Sequence, residues 1–192
     1  MQDGIGEEAK DSKWNLNLTQ NNDVYIDIIK DKNYGKQEII DKVIIDNFKI
    51  EDEPQKGKIK IYRPDSQNLS FTNKEEYKIE NEIQYKGAEK SDLNNLKIAN
   101  QGGLIILRFV NENLGNYKTD EEEIIHDGTL LNKIGLTNED IQFKVSFDIS
   151  IELTSGKKYK ANVNIEMPIG NLIGEGTTNT QINGNDIVFK RY

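Results

Sequence analysis

Four consecutive acids, Asp120-Glu121-Glu122-Glu123, form the densest group in the chain that could do chemistry. Carboxylates gathered in this way bind hard cations such as Ca²⁺ together with backbone carbonyls, which makes Asp120, Glu121 and Glu123 the candidate metal ligands. The run lacks the alternating D-x-D/N-x-D/N-G order of a calcium loop, and consecutive acids more commonly mark a solvated loop or edge. Asn183-Gly-Asn185-Asp186 could also meet a cation, although Asn-Gly is first of all a hairpin turn. His126, shortly after the acidic run, is the only histidine. That removes His-clustered zinc sites and makes any Ser-His-Asp arrangement depend on it alone. No G-x-S-x-G elbow supplies the serine, so His126 reads as a surface or capping residue. Cysteine is absent, which excludes a thiol nucleophile, a disulfide framework and a thiolate metal site.

The remaining motifs are weaker. Asn100-Gln-Gly-Gly103 and Gly170-Asn-Leu-Ile-Gly174-Glu-Gly176 give neither G-x-G-x-x-G nor G-x-x-x-x-G-K-S/T, so no nucleotide cofactor is expected. Paired carboxylates for glycoside chemistry carry no information, because 33 acidic residues always offer some pair. Trp14, Tyr25, Tyr34, Tyr62, Tyr77, Tyr85, Tyr117 and Tyr159 could in part stack sugars, but tyrosine is also an ordinary strand residue. No residue is assigned a catalytic role.

The elements that must position these groups read as strands. Val145-Ser-Phe147-Asp-Ile149-Ser-Ile151-Glu-Leu153 alternates apolar and polar without exception, and Tyr159-Lys-Ala161-Asn-Val163-Asn-Ile165-Glu-Met167 resumes the pattern after Thr154-Ser-Gly-Lys-Lys158. A turn centred on Gly156 predicts that Leu153 faces Tyr159, Ile151 faces Ala161, Ile149 faces Val163 and Phe147 faces Ile165. Further strands are predicted at Trp14 to Leu18, Val24 to Ile29, Val43 to Ile50, Lys58 to Tyr62, Tyr77 to Tyr85, Leu104 to Val110 and Ile187 to Phe189. Leu104 to Val110 is continuously apolar apart from Arg108, as expected of a central strand covered on both faces. Ile39 to Ile44 suits either a strand or a short helix. Asp127 is placed to cap a helix closed by Gly135, Ser91 to cap Asp92 to Leu96, and Thr137 to cap one turn in which Asp140 stands where Glu or Gln would complete a capping box. Pro168 should end the last long strand.

Composition agrees. The 192 residues include 27 Ile and 23 Asn but only four Ala, a set poor in helix formers and rich in strand and turn residues. The expected fold is mainly β, an antiparallel β-sandwich of immunoglobulin-like architecture with one to three short helices. Residues 1–13 (MQDGIGEEAKDSK) hold one large aliphatic, Ile5, and read as a disordered linker or stalk before a single domain over 14–192. The net charge of −8 draws the chain neither to nucleic-acid phosphates nor to anionic membranes, and no apolar run is long enough to insert.

A polar acidic start, a Cys-free Lys/Asn/Ile-rich body and a strand-rich pattern together resemble the extracytoplasmic domains of membrane-anchored surface proteins of low-GC Gram-positive bacteria. The phrase Leu96-Lys-Ile-Ala-Asn-Gln-Gly-Gly103 before Leu104 to Phe109 has the same character. The resemblance transfers no functional residue. It implies a non-enzymatic binding or structural module in the cell envelope, held by an anchor preceding residue 1, with a protein or an envelope polymer as its partner. The alternatives are a carboxylate-based envelope hydrolase and a divalent-cation or carbohydrate-binding module.

Overall fold

The computed structural model of the protein describes residues 7–9, 13–30, 33, 38–92, 94–181 and 187–192. The described elements run β1 (Glu7–Ala9), β2 (Lys13–Ile29), β3 (Ile40–Asp52), β4 (Lys58–Tyr62), β5 (Ile83–Gly87), β6 (Leu96–Ile98), β7 (Gly102–Thr119), α1 (Thr129–Lys133), α2 (Asn138–Ile141), β8 (Phe143–Leu153), β9 (Lys158–Met167), α3 (Leu172–Glu175) and β10 (Lys190–Arg191). A single 3-10 turn lies at Glu75–Tyr77. The strands build the mainly β sandwich that the alternation predicts. One sheet has the order β1-β2-β7-β4 and the other β10-β9-β8-β3-β5-β6. The described ladders are antiparallel except β5–β6.

Two apolar cores share the long antiparallel β2–β7 pair. Between the sheets, Val43, Ile45, Tyr85, Ile105, Leu107, Phe109, Val145, Phe147 and Ile149 are fully buried. At the other end of that pair, Leu16, Leu18 and Leu114 pack with Leu130, Leu131, Ile141, Leu172 and Ile173 of the three helices. Separate strands were expected at Trp14 to Leu18 and Val24 to Ile29, yet one continuous strand crosses from core to core. The polar stretch between them is the crossing point. Gln20 and Asn111 stand opposite each other there and are buried. Gln20 Nε2 donates to Asn22 Oδ1 (3.0 Å) and Asn111 Nδ2 donates to the Lys56 carbonyl (3.0 Å). A register shift between Leu18 and Gln20, with Asn113 at φ 61°, bends the paired strands so that each end faces its own core.

The β8–β9 hairpin forms with every apolar pair on one face, but two residues out of the expected register. Ile151 faces Tyr159, Ile149 faces Ala161, Phe147 faces Val163 and Val145 faces Ile165. Gly156 closes the loop instead of centring it. Its N–H donates to the Leu153 carbonyl, Leu153 N–H donates to the Lys157 carbonyl, and φ is 83°. That is a type I turn followed by a left-handed residue. No atom lies within 4 Å of a Cβ added at Gly156, so Gly156→Ala isolates the backbone cost. It should lower stability by about 1–2 kcal/mol in a urea titration.

Thr137 and Asp140 form the expected capping box, with Thr137 N–H donating to Asp140 Oδ2 at 2.8 Å. Asp127 Oδ1 accepts the Thr129 N–H at the start of α1 (2.8 Å), and Gly135 follows that helix at φ 81°. β9 ends at Met167, immediately before Pro168. Ile39 to Ile44 resolves as a strand, because β3 is paired on both sides by β8 and β5.

Other expectations are corrected. Among the described residues, Ser91, Asp92 and Asn94 to Leu96 form no helix, with Leu93 outside them: Leu96–Ile98 is instead a strand parallel to β5, where Leu96 and Ile98 are buried. Tyr77 to Tyr85 is not one strand, since the 3-10 turn, a lone bridge at Lys78 and β5 divide it. The last strand lies at Lys190–Arg191, after Ile187 to Phe189. Within the segment expected as a linker, Glu7–Ala9 pair with Lys13–Asn15. A backbone ladder needs no apolar side chains, so composition alone did not signal it. Residues 1–6 and 10–12 lie outside the described residues, as do Tyr34 and Asn183 to Asp186.

Candidate functional site

The structure disperses most residues that the sequence singled out. Asp120 to Glu123 are exposed between β7 and α1. Glu121 pairs with Lys133 (2.9 Å), and its N–H donates to Thr119 Oγ1. Among the described residues no three acidic or histidine side chains gather to hold a metal, so Asp120, Glu121 and Glu123 do not converge on a site. His126 is exposed. Tyr62 and Tyr85 are buried and unavailable to a sugar. Tyr77 lies under Arg63 and Tyr117 under Lys133, which uses the ring faces for cation contacts.

A cluster of charges lies on the outward face of the six-stranded sheet, where alternation gave no warning of it. Asp46 and Asp148 stand directly opposite each other on β3 and β8. A register shift after Asp46 puts Asn47 at φ 53° and turns its side chain onto Asp148 Oδ2 (2.7 Å). Asn162 Nδ2 donates to Asp148 Oδ1 (2.9 Å), and Lys160 Nζ lies 3.0 Å from Asp148 Oδ2 and 3.8 Å from Asp46 Oδ1. Burial raises the Asp148 carboxyl, but the donors Asn47, Asn162 and Lys160 together outweigh it and hold the group below its ordinary 3.8. The same pair raises Lys160. The ammonium occupies the place a cation would take between two carboxylates, so this cluster ties three strands together.

A pH prediction follows. With its folded-state pKa below the unfolded value, Asp148 contributes stability that is present above pH 3.8 and lost as pH falls through the folded pKa. Thermal melts between about pH 2 and pH 5 should show a shallower acid loss for Asp148→Asn than for the parent chain. Parallel curves would mean that the cluster does not sense the proton.

One surface remains unmatched. β2 pairs with β7 along one side from Trp14 to Ile29, but among the described strands its other side is paired only at Lys13–Asn15. Beside that edge Tyr25 is 61%, Ile29 80% and Leu104 46% exposed, three large apolar side chains around Asp27. Val24, Ile26 and Ile28 point the other way and are only half-buried against the central core.

The backbone polarity of the edge can be derived. β4 ends at the Tyr62–Arg108 pair, leaving Ile106 without a strand partner on that side. The Tyr85 hydroxyl fills the gap: it donates to the Ile106 carbonyl (2.7 Å) and accepts the Ile106 N–H (2.9 Å). Both groups of Ile106 therefore point away from β2, and its opposite residue Tyr25 belongs to a non-hydrogen-bonded pair. The N–H and C=O of Tyr25 consequently point to the open side, as do those of Asp23, Asp27 and Ile29. A continuous row of strand-forming groups runs beside an apolar strip.

No family model, curated protein or solved structure matches this chain.

Proposed function

We propose that this domain is a non-enzymatic binding or structural module of a membrane-tethered surface protein, working outside the cytoplasm. The observation that carries the reading is the unpaired side of β2 beside exposed Tyr25, Ile29 and Leu104. An exposed, flat strand edge is an aggregation hazard that chains normally blunt with lysine, proline or a covering loop. Residues 16–29 contain none of Lys, Arg or Pro. A surface kept in that state is suited to contact with another molecule. The Cys-free composition fits a disulfide-free bacterial envelope, and no described helix is long and apolar enough to cross a membrane.

The test joins location with activity. Source cells are fractionated, intact cells are treated with protease, and the domain is followed with an antibody. Membrane association with cleavage from outside is the expected result, together with no turnover of peptide, glycan or ester substrates by the purified chain. A protease-protected soluble protein, or turnover abolished by one point change, would overturn the reading.

A further inference from the structure

Resting on that reading of the β2 edge as a contact surface, we infer that the partner is an extended segment with a basic residue inside an apolar run, added to β2 as a further strand. Backbone groups that can accept such a strand lie at Asp23, Tyr25, Asp27 and Ile29, whose outward parity is set by the β2–β7 register and revealed by the Tyr85–Ile106 contact. The side chains specify the rest. On the outer face, Tyr25, Asp27 and Ile29 read apolar, acidic, apolar. Asp23 already has its charge matched by Arg108, with Nε 2.5 Å and Nη2 2.8 Å from its carboxylate oxygens. Asp27 has no ion-pair partner among the described residues, and Leu104 stands opposite it on β7. On the inner face, Val24, Ile26 and Ile28 would gain burial from apolar neighbours.

The required partner pattern is therefore apolar-apolar-basic-apolar-apolar. Because the strip is symmetric about Asp27, the pattern reads the same for a parallel or an antiparallel guest. A second copy of this chain does not fit. A two-fold centred on the strip sets Asp27 against Asp27, and two chains of net charge −8 repel as they approach.

The full chain is to be titrated with a short capped peptide whose centre is Ile-Val-Lys-Val-Ile, and with its twin carrying Glu in place of Lys. Binding is followed by fluorescence anisotropy and by amide hydrogen exchange resolved by residue. The lysine peptide should bind at least about tenfold tighter than the glutamate peptide, and Asp27→Lys should reverse that order. Tyr25→Ser should weaken the lysine peptide by about the same factor. In the free chain the amides of Asp23, Tyr25, Asp27 and Ile29 should exchange fast and those of Val24, Ile26 and Ile28 slowly; the peptide should protect only the first set. Equal binding of both peptides, protection elsewhere, no binding, or a dimer in light scattering that protects these amides without peptide would each overturn the inference. Cell location and absence of turnover are measured separately, so failure here leaves the broader reading standing or falling on its own test.

Discussion

Ile149→Asp should leave no folded population at room temperature. Ile149 is 0% exposed at the centre of β8, with Ile45 opposite on β3 and Ala161 opposite on β9. The substitution removes a buried aliphatic side chain, an effect of about 2–5 kcal/mol for truncations of this kind. It also places a carboxylate in the core with no basic group to meet it. The charge must be desolvated or take up a proton, and either route adds several kcal/mol. A chain of this size has roughly 5–15 kcal/mol of total stability, so the sum removes most or all of it. Circular dichroism and the dispersion of amide resonances would report the loss. Ile149→Val deletes one methylene and should stay folded at a cost of about 1 kcal/mol. A native-like spectrum for Ile149→Asp would mean that the β8 inner face is not the core.

Tyr85→Phe should lower stability by about 2–4 kcal/mol although it deletes a single oxygen. Tyr85 is fully buried, and its hydroxyl is both donor and acceptor for one residue of the opposite sheet. Removing it leaves a buried N–H and a buried C=O unpaired, each penalised by roughly 1–3 kcal/mol. Burial pushes the hydroxyl up to about 12, so it stays protonated and able to donate throughout the neutral range. Tyr62→Phe is the comparison. That hydroxyl donates to Glu112 Oε1, which also pairs through its second oxygen with Lys60, so little is left unmatched. Urea titrations should place Tyr85→Phe well below Tyr62→Phe. Equal values would show that Ile106 finds water when Tyr85 is removed.

Tyr85→Phe also reports on the candidate surface, because the Tyr85 hydroxyl meets the Ile106 groups that point away from β2. Loss of the bridge frees Ile106, and exchange of the amide at Ile106 should quicken before that of Ile105 or Leu107, whose amides belong to the β2 ladder.

Several features were legible from the chain. Alternation over Val145 to Leu153 and Tyr159 to Met167 set strand type and the buried face, since a one-residue slip would turn every apolar side chain to water. Thr137 with Asp140, Asp127 with Gly135, and Pro168 marked ends correctly, because caps and stops depend on a few neighbouring residues. The candidate surface was not legible. Tyr25 and Ile29 look like any strand residues, and the polar stretch from Thr19 to Asp23 read as a break between strands. Asp46, Asp148 and Lys160 are far apart in sequence and carry no motif.

Composition and local pattern suffice for a mainly β chain, the parity of its best hairpin, its local caps, and the exclusion of thiol and histidine-cluster chemistry. Each of these follows from composition or from interactions within a few residues. Tertiary structure decided the rest. It did not choose the hairpin register: a period of two cannot distinguish shifts of two residues, and the local turn closed at Gly156 made that choice. It turned Leu96–Ile98 into a parallel strand by offering β5 as a partner. It left the side of β2 beyond Asn15 without a partner among the described strands, because sheet order depends on which distant strands meet, and no local pattern encodes that.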